Sequence, residues 1–140
     1  MKILFAADGS PYTKKALAFL VTHESLAGPE DELFVLNVQT PVPSRVRRFL
    51  GGTDLAAVHR EDGDKVLTPI KRFLDRHALK YRAAMVVGAA AHEIVKAARR
   101  EKSHLIVMGT HGLGLMGQAL IGSVAQRVIT ESDIPVLLVK

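Results

Sequence analysis

The sequence predicts an α/β domain built on a parallel sheet. Short apolar runs alternate along the chain with segments of helical period, the pattern of repeated strand–helix units. Most of those runs are apolar at successive positions, as strands are when helices cover both faces of a sheet. One run, Leu105-Ile106-Val107-Met108, leads straight into Gly109-Thr110-His111-Gly112 and then towards a helix. A strand, a glycine-rich loop and a helix start in that order commonly build a phosphate site.

The strands are expected at Lys2 to Ala7, Leu33 to Val38, Tyr81 to Val87, His104 to Met108 and Pro135 to Val139. The first helix follows Asp8-Gly9, with Ser10 as N-cap, Pro11 at its first position and Ala16, Leu17, Leu20 and Val21 as its apolar stripe. Gly28-Pro29 ends that unit. Pro41 to Asp64 carries prolines, paired glycines and mixed charge, and is expected to be a loop with a short helix from Thr53 to His59. A second stripe is Val66, Ile70, Phe73 and Leu74. Pro69 lies inside it, so the helix is expected to kink or to begin there with Thr68 as its cap. Ala91, Ile94, Val95 and Ala98 form a third stripe. Ile121, Val124, Ala125, Val128 and Ile129 form a fourth.

At 140 residues the chain reads as one domain, residues 1–140, able to bury a core without staples. It has no cysteine, so neither disulfides nor thiolate chemistry are available, which fits a cytoplasmic setting. No apolar run approaches the roughly 20 residues of a membrane span, and Met1 to Asp8 is too short for a signal segment. The net charge is +5. Its lysines and arginines are dispersed and not interleaved with aromatics, which argues against nucleic acid as partner. The densest basic cluster is Arg45-Val46-Arg47-Arg48.

Three familiar motifs begin and fail. Residues 112–117 read G-x-G-x-x-G, but the chain ends after one more strand, leaving no acidic residue to hold a ribose. Gly117 and Gly122 have P-loop spacing, with Ser123 where the lysine belongs and Val124 where the metal-binding hydroxyl belongs. His92-Glu93 opens an H-E-x-x-H zinc motif that lacks its second histidine, so no metal ligand set is expected from the protein.

What remains is Gly109-x2-Gly112-x9-Gly122-Ser123. Here the chain resembles the universal stress protein family in its nucleotide-binding branch, whose motif is G-x2-G-x9-G-[S/T]. Similar stretches are Ile3 to Pro11, Leu36 to Val38, Gly88 to Ala98, Leu105 to Gly112 and Ile134 to Val139, so the resemblance spans the chain. It implies a single five-stranded parallel sheet in the order 3-2-1-4-5, Rossmann-like, with helices on both faces. In such a sheet ligands bind where the strand order reverses.

The resemblance also implies roles. Asp8 would contact adenosine, Ala6 and Ala7 would make room and offer backbone groups to the base, and Val38 would form an adenine wall. Met108 would line the opposite side, with Gly109 and Gly112 curving the backbone around ribose and phosphates. Gly122, Ser123 and Val124 would aim N–H groups at the terminal phosphates; His111 is a candidate phosphate contact, the alternative being an exposed loop histidine. The purely structural alternatives are a helix-capping Asp8 and an N-capping Ser123. Two departures from the family pattern stand out: Ala89-Ala90-Ala91 where polar residues usually follow the glycine, and His104 where an acid usually precedes the fourth strand.

The expected function is that of an ATP-binding stress-response switch or sensor with little or no turnover. ADP or AMP are alternative ligands, with Mg²⁺ carried through the phosphates. The alternative is a dimeric interaction module that does not depend on ATP or that binds another adenosine nucleotide. A homodimer is expected through the apolar strand Ile134 to Val139, whose exposed edge invites pairing.

Overall fold

The computed structural model describes residues 1–112 and 121–140. Its elements run β1 (Lys2–Ala6), α1 (Pro11–Thr22), β2 (Glu32–Gln39), α2 (Ser44–Arg47), α3 (Leu55–Leu74), β3 (Lys80–Val87), α4 (Ala90–Arg100), β4 (Leu105–Gly109), α5 (Ser123–Glu131) and β5 (Val136–Val139). The five strands form one sheet in the order β3-β2-β1-β4-β5, and every neighbouring pair is parallel. Each strand lies within a residue or two of its expected place. The spacing over 112–117 and Gly117 fall partly or wholly outside the described residues.

Alternation along the strands divides the core in two. Ile3, Phe5, Leu33, Val35 and Val107 face α1 and α3, which contribute Leu17, Leu20, Leu67, Ile70 and Leu74. Leu4, Phe34, Leu36 and Ile106 face α4 and α5, which contribute Ile94, Val95, Ala98, Ala125 and Val128. β1 lies in the middle of the sheet, so Phe5 is completely buried. Burial of such a side chain stabilises the fold by about 2–3 kcal/mol.

The helix ends follow the local chemistry. Ser10 caps α1 as expected: its Oγ accepts the Thr13 N–H at 3.3 Å, and Pro11 takes the first turn, where no N–H is required. Of the two expected outcomes at Pro69, the helix does not begin there. α3 runs unbroken through it for 20 residues, capped at its start by Asp54, whose carboxylate accepts the Ala57 N–H at 3.2 Å. The expected helix from Thr53 to His59 is the opening of this same element. Pro69 and Lys65, one turn before it, are both exposed, so water can satisfy the carbonyl that the proline leaves without a donor. In α5 the stripe is narrower than expected. Ala125 and Val128 are buried, whereas Val124 and Ile129 are 37% and 45% exposed. No helix among the described residues is long and apolar enough to cross a membrane.

The strand order reverses between β1 and β4, since the chain moves from β3 at one edge back past β1. The turn after β1 and the loop after β4 therefore emerge side by side at the carboxyl ends of the strands, where open α/β sheets form a crevice.

Candidate functional site

The turn after β1 is braced internally. The Asp8 carboxylate accepts the Ser10 N–H at 2.9 Å and the Thr13 hydroxyl at 2.8 Å, while the Asp8 N–H donates to Thr13 Oγ1 at 3.2 Å. Gly9 takes φ +79°, a value glycine adopts without strain. The helix-capping alternative for Asp8 thus acquires a definite form. Asp8 ties the turn to the first turn of α1, and Ser10 is the N-cap.

The loop after β4 closes against this turn. A Cβ on Gly112 would stand 2.7 Å from Asp8 Oδ2, and one on Gly109 would stand 2.5 Å from the Tyr12 Cβ. Only glycine permits both approaches. The Ser10 hydroxyl donates to the His111 carbonyl at 3.5 Å, and the His111 ring lies 4.9 Å from that of Tyr12, tilted by 43°. His111 Nδ1 and Thr110 Oγ1 are 2.9 Å apart. The start of α5 joins the same place, because the Gly122 N–H donates to the Thr110 carbonyl at 2.7 Å.

Between these segments lies a cleft of about 420 Å³. Every residue singled out from the sequence lines it. Ala6, Ala7, Asp8 and Val38 stand on one side, Met108, Gly109, His111 and Gly112 on the other, and Gly122, Ser123 and Val124 close the end. Small side chains at Ala6 and Ala7 keep it open. The Ala7 backbone is already engaged: its N–H donates to the Leu36 carbonyl at 2.9 Å, and its carbonyl accepts from Asn37 Nδ2 at 2.8 Å.

The cleft is favourable to an anion without holding a cation. Asp8 and His111 are its only ionisable side chains among the described residues, and residues 113–120 contain no charged residue. The attraction comes from main-chain dipoles. α5 begins at the cleft, and Gly122, not Ser123, is its N-cap, with no side chain bonded to the first-turn N–H groups. α4 also starts at the cleft, through Ala90, and Ala89 offers no side-chain cap either. The departure from polar residues at 89–91 therefore leaves a second helix start uncapped. His104, the other departure, serves the far end of the sheet, where its Nδ1 accepts the Lys2 N–H at 2.9 Å.

These features suit a phosphorylated nucleotide: an apolar flank at Val38, Leu36 and Met108, a glycine cradle, and a helix start without a side-chain cap. No group of three or more His, Cys, Asp or Glu able to hold a metal occurs among the described residues.

Sequence reasoning missed Thr13, Asn37, Gln39 and Thr40, which also border the cleft. Asn37 carried a signal. It is a polar residue inside the run Leu33 to Val38, where a buried position demands a hydrogen-bond partner.

A family model described as the universal stress protein family matches residues 1–140. Universal stress protein MJ0531 of Methanocaldococcus jannaschii is 41% identical over 141 residues, covering 99% of this chain and 81% of the relative. Among solved structures, protein MJ0577 of the same organism superposes with TM-score 0.85 at 32% identity, covering 99% of this chain and 94% of that one. The fold recurs at lower identity in a universal stress protein in complex with cAMP (TM-score 0.70, 23% identity, 100% and 97% of the two chains). It recurs again in the universal stress protein from Archaeoglobus fulgidus in complex with dAMP (TM-score 0.68, 21% identity, 100% and 98%).

Proposed function

The chain belongs to the universal stress protein family, and from that premise we propose that its cleft binds ATP and that the protein acts as a nucleotide-dependent stress-response switch or sensor in the cytoplasm. Two proteins of the same fold hold dAMP and cAMP; for this chain the support is its own cleft. One observation carries the proposal. Gly112 lies against Asp8, and the Gly122 N–H reaches the Thr110 carbonyl, so two distant turns and a helix start form one cradle with an open interior.

In that cradle the base lies against Val38, with the ribose near Asp8. The phosphates follow Gly109 to Gly112 and end on the N–H groups of Ser123 and Val124. Main-chain amides do the work that a lysine does in a P-loop. Phosphoryl transfer needs charge neutralisation and a positioned nucleophile. No lysine or arginine lines the cleft among the described residues, and Asp8, its one carboxylate, is committed to Ser10 and Thr13. Binding with little turnover is the outcome this chemistry supports.

Calorimetry on nucleotide-stripped protein tests it. ATP is expected to bind in the micromolar range and, at about 100 times Kd, to stabilise the fold by about 2.7 kcal/mol. Absence of both heat and thermal shift at millimolar ATP defeats the proposal. We propose further that the protein is a homodimer through the edge formed by β5.

A further inference from the structure

From Pro41 to Asp62 no residue is buried, and α3 meets the core only from Gly63 onwards. The first half of this stretch carries the densest basic cluster of the chain, and none of its arginines lines the cleft. α2 itself has no buried residue. Two turn bonds continue its coil: the Phe49 N–H donates to the Val46 carbonyl at 3.0 Å, and the Leu50 N–H donates to the Arg47 carbonyl at 3.2 Å. That spacing puts Val46, Phe49 and Leu50 on one side. Phe49 is 88% exposed and Val46 40%. Arg45, Arg47 and Arg48 are interleaved with them, and none of the three forms an ion pair among the described residues. No Asp or Glu occurs from Thr40 to Thr53.

We infer that this tip docks on an anionic lipid bilayer, with Phe49 and Val46 sunk between the headgroups and Arg45, Arg47 and Arg48 held by their negative charge. Charge complementarity selects the occupant. An apolar side bordered only by cations is the pattern of a segment lying in a membrane interface, and each arginine adds to the attraction of an anionic leaflet. Size points the same way. A stable protein–protein contact takes about 20–30 residues from each side, far more than residues 45–50 supply, whereas a bilayer offers its apolar layer to any side chain that reaches it. With no residue buried, the segment presents an edge that sinks in and not a groove to be filled. Such attachment is peripheral and reversible and needs no spanning helix. It does not depend on the nucleotide reading of the cleft.

Sedimentation of the full chain with vesicles tests the inference. Two compositions are used: phosphatidylcholine alone, and equal parts of phosphatidylcholine and phosphatidylserine. The protein is expected to prefer the mixed vesicles by roughly a hundredfold, the effect of three arginines at a negative surface, and to lose that preference in high salt. Replacing all three arginines (Arg45→Gln, Arg47→Gln, Arg48→Gln) is expected to remove most of it, and Phe49→Ser to weaken partitioning onto mixed vesicles about tenfold. Every replaced side chain is exposed, so an unchanged thermal unfolding midpoint separates lost docking from lost folding. The chain has no tryptophan, so Phe49→Trp places a single indole at the tip, and its emission is expected to move to shorter wavelength on mixed vesicles. Binding to neither vesicle, or to both alike, overturns the inference. So does wild-type partitioning by the triple variant or by Phe49→Ser, or an unmoved emission from bound Phe49→Trp. Capture of polyglutamate in place of mixed vesicles assigns the tip to an acidic protein and overturns it as well.

Discussion

At Gly112 the space available to a single hydrogen sets how closely two turns approach. A methyl group there would stand 2.7 Å from Asp8 Oδ2, so Gly112→Ala must either push the loop away or turn Asp8 out of its bonds to Ser10 and Thr13. The expected result is a rise of at least about tenfold in the Kd for ATP, equivalent to about 1.4 kcal/mol, measured by calorimetry. An unaltered Kd would show that the contact is irrelevant to binding. A second side chain, Glu101, governs behaviour in acid. Its hydrogen bond from Arg100, the largest effect, holds its carboxyl below the usual value of 4.5 against the opposing effect of burial, with the charge and hydrogen bond of Arg82 adding to the lowering. A depressed folded-state pKa contributes stability above the unfolded value and loses it as pH falls through the folded one. Glu101→Gln is therefore expected to be less stable than wild type by up to about 1 kcal/mol at pH 7, the range of surface pairs. Urea denaturation at pH 7 and near pH 2 should show that gap closing in acid.

Among the elements, α3 departs furthest from its local sequence signals. Proline inside a helix removes one N–H and crowds the preceding turn, at a cost of about 3 kcal/mol. Yet α3 passes through Pro69 because Leu67, Ile70 and Leu74 bury one face against the sheet. Tertiary burial outweighs local propensity there. Pro69→Ala restores the missing donor on an exposed face, and the gain is partly offset by the greater freedom of the unfolded chain. Stability should rise by about 1–2 kcal/mol in urea denaturation with nucleotide binding unchanged. A destabilised variant would mean that the ring packs in a way exposure does not reveal. α5 shows the reverse relation, where a helix is left incomplete at its functional end. Gly122 at its N-cap supplies no side-chain acceptor to the first-turn N–H groups, which border the cleft.

For the whole molecule, β5 is an edge strand of four half-buried apolar residues, paired among the described residues with β4 on one side only. An edge of this kind is a template for another strand, and a two-fold pairing would close it symmetrically. Light scattering at micromolar concentration is expected to give the mass of a dimer; a monomer rules the edge out as an interface. Much of the architecture was legible in the chain because it follows from short-range chemistry. Runs such as Leu33 to Leu36 are buried on both faces in any parallel sheet, Ser10-Pro11 announces a helix start, and Gly109, Gly112 and Gly122 stand at a spacing with a recognisable use. Their convergence on one cleft was readable only through resemblance, since spacing alone says nothing of which turns meet. Three features are not local at all. The continuity of α3 through Pro69 depends on what its buried face packs against. The exposure of Ile129 depends on where α5 lies on the sheet. The hydrogen bonds from Gln39 to Asn37 and from Asn37 to the Ala7 carbonyl need β1 beside β2 in a particular register. Periodicity and turn chemistry act within a few residues and are written in the chain; which way the Asn37 amide turns is set by a carbonyl 30 residues away, and that is known only once the strands are paired.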